Sequence, residues 1–197
     1  MPKKYSALAN KTLQKNISYC QPPTLLSAIT ENDPAISVMT DFRKIRVVTT
    51  QPGTSITDCN QHMIMNNVRL LLVTDNNREV HGVITAADVL GEKPLAHLQK
   101  TGGTHDDILV SDIMTPTSDL ETLTLDDVDD ARVGDIVKTL IKDGRQHAIV
   151  TCANEHTGDM MICGMFSATQ ISKQLGIPVE PVTIATSFSD LERAIVA

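Results

Sequence analysis

Gly82-Val83-Ile84-Thr85-Ala86-Ala87-Asp88 is the stretch on which the reading of this chain turns. A glycine and two β-branched residues suit the end of a buried strand. The hydroxyl, two alanines and carboxylate that follow suit the start of a helix. The same order returns at Gly164-Met165-Phe166-Ser167-Ala168-Thr169-Gln170, 82 positions later. Upstream, the apolar runs Leu70-Leu71-Leu72-Val73 and His147-Ala148-Ile149-Val150 are 77 positions apart. Runs of that kind suit strands buried on both faces of a parallel arrangement. Further back, Ile56, Cys59, Met63 and Ile64 share a predicted helical face ending near Asn67, and Val133, Ile136, Leu140 and Ile141 share another between Arg132 and Asp143. Ile56 and Val133, Cys59 and Ile136, and Met63 and Leu140 are again 77 apart, the mark of a duplicated unit. Val38-Met39-Thr40 and Ile113-Met114-Thr115 open the two copies.

The copies differ in their hairpins. Asp75-Asn76-Asn77 supplies turn chemistry in the first. The second turn, through Asn154 to Gly158, is expected to be five residues longer. Gly91 to Val110 separates the copies, and Lys100-Thr101-Gly102-Gly103-Thr104 reads there as a flexible linker. The resulting division is an N-terminal arm over 1–32, repeat 1 over 33–92, a linker over 93–109, repeat 2 over 110–176 and a tail over 177–197. A last amphipathic turn is predicted between Asp190 and Val196.

Composition narrows the function. The 197 residues are 41% apolar and carry 17 Lys+Arg against 24 Asp+Glu, a net charge of −7. With a pI near 5.3 and no Trp, the chain lacks the basic face and the stacking aromatics of a nucleic-acid binder. Mean hydropathy is −0.06, and no window approaches the roughly 18 consecutive apolar residues of a membrane span. Met1 to Lys15 has no apolar signal core, so a cytoplasmic location is expected, with neither membrane nor nucleic acid as partner. Cys20, Cys59, Cys152 and Cys163 include no Cys-x-x-Cys pair, which fits a reducing compartment. The most metal-like group is Cys152, His156 and Cys163, with Met160 and Met161 nearby. Its spacing does not dictate a tetrahedral site, and buried thiols are the simpler reading, so no metal is expected. No nucleophile set is recognisable, and no enzyme activity is expected. The acidic run Asp126 to Asp130 lacks calcium-loop spacing and reads as a solvated loop. Arg43, Lys44 and Arg46 form a small basic patch that suits either phosphate attraction or a guarded strand edge.

Extended segment, helix, strand, strand, helix, twice over, resembles a tandem of cystathionine-β-synthase (CBS) domains, a Bateman module of the stand-alone bacterial type. Val38-Met39-Thr40, Leu72-Val73-Thr74-Asp75 and Gly82 to Asp88 carry the resemblance in copy one, and Ile113-Met114-Thr115 and Gly164 to Ser167 in copy two, over about residues 33–176. It implies an α/β (α+β) fold of two β-α-β-β-α repeats packed pseudo-symmetrically, with two clefts that bind AMP, ADP, ATP or S-adenosylmethionine. It requires no cofactor, and it suggests a homodimer and an effector protein that reads the bound state. By resemblance Asp88 accepts the ribose diol and Thr85 offers a hydroxyl to phosphate. Val83 and Ala87 then line the pocket, Arg69 contacts phosphate, and Thr115, Arg145 and His147 complete the cleft. The bland roles stay open: Asp88 as a helix-terminal charge, Thr85 as an N-cap and Arg69 as a solvated base. In the second cleft Ser167 keeps the hydroxyl, Gln170 stands in place of the acid, and Thr40, Ile45 and Arg69 line the rest. The first cleft is therefore expected to be the competent one. A docking module with empty clefts is the alternative function.

Overall fold

The computed structural model describes residues 7–10 and 29–179. The predicted turn at 190–196 and most of the arm lie outside the described residues. After a 3₁₀ turn at Ala35–Val38, the chain runs β1 (Thr40–Asp41), β2 (Thr49–Thr50), α1 (Ile56–Met65), β3 (Leu70–Thr74), β4 (Val80–Thr85), α2 (Ala86–Leu90) and α3 (Lys93–Thr101). Then follow α4 (Val110–Ile113), β5 (Thr115–Pro116), β6 (Thr122–Thr124), α5 (Leu125–Asp130), α6 (Val133–Lys142), β7 (His147–Ala153), β8 (Met160–Ser167) and α7 (Ala168–Leu175).

Local chemistry explains most boundaries. The Ser55 hydroxyl caps α1 by accepting from the Asp58 N–H at 3.1 Å and donating to the Asp58 carboxylate at 2.9 Å. Ile56, Cys59 and Met63 are buried along α1, and Val133, Ile136, Val137 and Leu140 along α6. Each such side chain contributes roughly 1.5–3 kcal/mol through burial. Ile64 and Ile141, expected on those inner faces, are 70% and 37% exposed instead. A step of one residue turns the helix by about 100°, which carries each of them off the stripe.

Two four-stranded sheets form, in the orders β2-β3-β4-β5 and β1-β8-β7-β6. Both are mixed. β3 runs parallel to β2 but antiparallel to β4, and β7 runs parallel to β6 but antiparallel to β8. The expected parallel arrangement thus holds on one side of each central strand only, because the tight hairpin forces antiparallel pairing on the other. The five extra residues of the second hairpin go mostly into its strands. The turn there spans 154–159, against 75–79 in the first hairpin, while β7 and β8 are each two residues longer than β3 and β4.

Each opening strand is lent to the other repeat. Thr40 and Asp41 of β1 pair with Met165 and Gly164 of β8, and Thr115 and Pro116 of β5 pair with Val83 and Gly82 of β4. The cores cross in the same way. Ala35, Val38 and Met39 pack with Phe166, Ile171 and the buried face of α6, while Ile108, Val110 and Ile113 pack with Ile56, Met63 and Ile84. A third cluster, built on Leu70, Leu72, Val83 and Ile149, joins the two sheets face to face.

Two stretches differ from their sequence reading. The 93–109 stretch, expected as a linker that is flexible at 100–104, carries α3, and its end joins the repeat 1 core through Ile108. Pro94 in the first turn starts this helix, and Gly102, with φ 73°, ends it. The acidic run is helical in α5, because Val128 is buried in the repeat 2 core and Thr124 caps the first turn through the Asp127 N–H.

Candidate functional site

A cleft of about 990 Å³ opens between the repeats. Repeat 1 supplies Asn60, Met63, Ile64 and Asn67 from α1 and its end, Val68 and Arg69 before β3, and Ala86, Ala87, Leu90 and Gly91 from α2 and its end. Repeat 2 supplies His147, Met165, Ser167, Thr169, Gln170 and Lys173, and β1 adds Thr40. The lining therefore joins Arg69, Ala87 and His147, expected in the first cleft, with Thr40, Ser167 and Gln170, expected in the second.

The polar geometry is specific. The Thr40 hydroxyl donates to Gln170 Oε1 at 3.1 Å, which leaves the Gln170 amide N–H groups for an incoming ligand. Ser167 stands at the N-cap of α7 but makes no capping bond with its side chain. His147 is held neutral: burial and the nearby Arg69 charge push its pKa down to about 4, with Asp88 pulling weakly the other way. Among the described residues, Arg69 and Lys173 are the cations of the lining, and no carboxylate belongs to it.

Asp88 and Thr85 are arranged otherwise. The Thr85 N–H and hydroxyl both donate to Asp88 Oδ2, at 2.8 and 2.7 Å, and the Asp88 N–H donates back to the Thr85 hydroxyl at 3.2 Å. This capping box starts α2. Asp88 Oδ1 is taken by Lys93 Nζ at 2.6 Å, and the same ammonium donates to the Ile113 carbonyl at 3.0 Å. Val83 is buried between the sheets, and Thr115 pairs with it on β5. Arg145 lies apart, bound to Glu121 at 2.6 Å beside a shallow cavity of about 40 Å³. Ile45 is 53% exposed, in the turn that folds back on Asp41, and does not line the cleft. From the basic patch, Arg43 and Lys44 are drawn onto buried Asp41, at 2.8 and 3.2 Å.

Asn60, Asn67 and Lys173 were not singled out in the sequence, although a signal exists. Asn60, Ile64 and Asn67 follow i, i+4, i+7 spacing off the core stripe, and Lys173 lies three residues after Gln170. Two of the described thiols are poorly suited to chemistry: burial pushes Cys59 up to about 11 and Cys163 up to about 12. Among the described residues, no three His, Cys, Asp or Glu side chains group as metal ligands would, and no helix is long and apolar enough to cross a membrane.

The comparisons agree with this architecture. The CBS domain family model matches residues 35–94. An uncharacterized conserved protein from Pyrococcus horikoshii superposes with a TM-score of 0.52 at 21% identity, over 74% of this chain and 93% of that one. The CBS domain pair of protein MJ0100, solved in complex with 5′-methylthioadenosine and S-adenosyl-L-methionine, gives 0.50 at 16% identity, over 74% and 97%. Protein MJ1225 from Methanocaldococcus jannaschii gives 0.50 at 19%, over 71% of this chain and 49% of that one. A search of curated proteins finds no match. Residues 35–94 thus match the CBS domain model, and the fold is that of the MJ0100 CBS domain pair.

Proposed function

We propose that this chain is a regulatory module that binds a phosphorylated adenosine ligand (AMP, ADP or ATP) in the cleft between its repeats and signals by shifting them. The observation that carries the reading is the charge of that cleft. In a chain of net charge −7, the lining formed by the described residues holds Arg69 and Lys173 and no acid. Guanidinium and ammonium groups suit phosphate oxygens. Met63, Ile64, Val68, Leu90 and Met165 offer an apolar bed for a purine, and Asn60, Asn67 and the free amide of Gln170 offer hydrogen bonds. S-adenosylmethionine, with its sulfonium cation, fits this field less well. The adenosine moiety bound by the MJ0100 pair supports the shared part of the ligand.

The open Gln170 side, together with the bonds of Asp88 to Thr85 and Lys93, supports placing the ligand there rather than in the cleft expected from sequence. A ligand bridging the repeats biases their arrangement only so far as it binds one arrangement better, and an effector protein reads that bias. Exposed Met65 on repeat 1 and Leu95 on α3 support pairing with a second copy.

Calorimetric titration with AMP, ADP, ATP and S-adenosylmethionine tests the reading. ADP should bind one per chain, and Arg69→Ala and Lys173→Ala should each weaken it by roughly 5- to 30-fold, the loss of about 1–2 kcal/mol of charge-assisted contact. A preference for S-adenosylmethionine would overturn the phosphate assignment. No binding of any of the four to folded protein would overturn the sensor and leave a docking module.

A further inference from the structure

The two halves of the duplication treat one position in opposite ways. Counting 82 residues from the closing motif of repeat 1, Thr85 corresponds to Ser167, Asp88 to Gln170 and Lys93 to Leu175. In repeat 2, the Gln170 side chain has one partner among the described residues, the neutral Thr40 hydroxyl, and Leu175 packs against the core. Leu175 has nothing to donate, and the cleft beside Gln170 is open. In repeat 1, both oxygens of the Asp88 carboxylate are taken: Oδ2 by Thr85 and Oδ1 by Lys93. The helix that runs unbroken through Leu175 in repeat 2 is interrupted after Leu90 in repeat 1, and α3 restarts with Lys93 as its first residue. That break delivers the ammonium to Asp88. Lys93 also holds the Ile113 carbonyl, two residues before Thr115 on the strand lent from repeat 2.

We infer that Lys93 is an internal clamp on the first cleft: it fills the acceptor side of Asp88 and ties α2 to the opening segment of repeat 2, so the duplicated site is closed by the chain itself. The inference rests on the reading of the open cleft as a nucleotide site. A carboxylate with one oxygen fixed by Thr85 and the other released is an acceptor for a vicinal diol, the chemistry a ribose presents. Removing the clamp therefore creates a second site for the same ligand class. The clamp also sets an ammonium against the Asp88 carboxylate, whose pull on His147 is the smallest of the three influences there.

The experiment counts ADP bound per chain in equilibrium dialysis. Wild type should bind one, Lys93→Met and Lys93→Gln two, and the double variant Lys93→Met with Asp88→Asn one. Thermal unfolding of each variant shows that it is folded, and the two Lys93 substitutions guard against a defect particular to one of them. One ADP in wild type with still one in both folded Lys93 variants overturns the clamp and leaves the nucleotide reading standing. No ADP in wild type but one in the Lys93 variants overturns the open-cleft reading and supports the clamp. A second site that persists in the double variant also overturns the clamp, because Asp88 would then have no part in it.

Discussion

Gly82→Ala and Gly164→Ala make the same change at matched points of the duplication, and the structure gives them different costs. A Cβ at Gly82 would lie 2.3 Å from the Thr115 carbonyl oxygen and 3.0 Å from Pro116 Cα, both backbone atoms. Ordinary van der Waals contact begins near 3.4 Å, so β5 must retreat by about 1 Å. β5 is two residues long and pairs only through Gly82↔Pro116 and Val83↔Thr115, so it cannot flex locally and keep its ladder. Overpacking costs about 1–3 kcal/mol. Losing one or two ladder hydrogen bonds adds about 1 kcal/mol each. Restriction of the unfolded chain returns about 0.4–1 kcal/mol. The net is a loss of about 2–4 kcal/mol. At Gly164 the Cβ would meet Met39 Sδ at 2.8 Å and Cε at 3.0 Å, the far end of a flexible side chain, and the Thr40 carbonyl at 3.1 Å. The thioether can turn aside and Thr40 need yield only a few tenths of an ångström, so the net loss there is about 0–1 kcal/mol. Urea unfolding with linear extrapolation, at unchanged slope, measures both. Gly82→Ala within 1 kcal/mol of wild type, or Gly164→Ala losing as much as Gly82→Ala, would refute the view that β5 is a rigid strap and β1 a compliant one.

Two further predictions concern pH. His147 titrates near 4 in the folded protein against about 6.5 when unfolded, so the unfolded chain binds the extra proton between those values. Stability should fall as pH drops from 6.5 towards 4, by at most about 3 kcal/mol, and the difference between wild type and His147→Gln in pH-dependent melts should shrink across that window. Constancy of that difference would show that His147 is not held neutral. Asp41 behaves in the opposite sense: Arg43 and Lys44 hold its carboxyl well below the usual carboxylate range, so its contribution is full above pH 4 and is lost in more acid solution. Asp41→Asn should therefore cost about 1–3 kcal/mol at pH 7, with the gap narrowing steadily as pH falls below 4, measured by denaturant titration at each pH. A gap of constant size between pH 4 and pH 2 would mean that the carboxylate charge is not what holds the β1 turn.

How much of this was legible in the sequence follows from the range of each interaction. The repeats, their helices and the closing motifs were readable because their causes are local: Ser55 and Asp58, or Thr85 and Asp88, lie three residues apart and declare a helix start wherever they occur. The exchange of β1 and β5 between sheets was not readable, since pairs such as Thr40 with Met165 lie 125 residues apart and two-residue strands carry no periodic signal. The proposed cleft differs from the one expected from sequence for a sharper reason. Read as a letter, Gln170 is the loss of an acid, and Asp88 is its retention. In space the acid at 88 recruits Lys93 and Thr85 and is saturated, whereas the neutral Gln170 needs only the Thr40 hydroxyl and keeps its amide free. The missing carboxylate also leaves Arg69 and Lys173 with no acid beside them in the lining among the described residues. On the proposed reading, then, an anionic ligand finds its better host in the second cleft, at the substitution that looks like decay in the one-dimensional comparison, while the preserved motif serves to hold α2 to the opening segment of repeat 2.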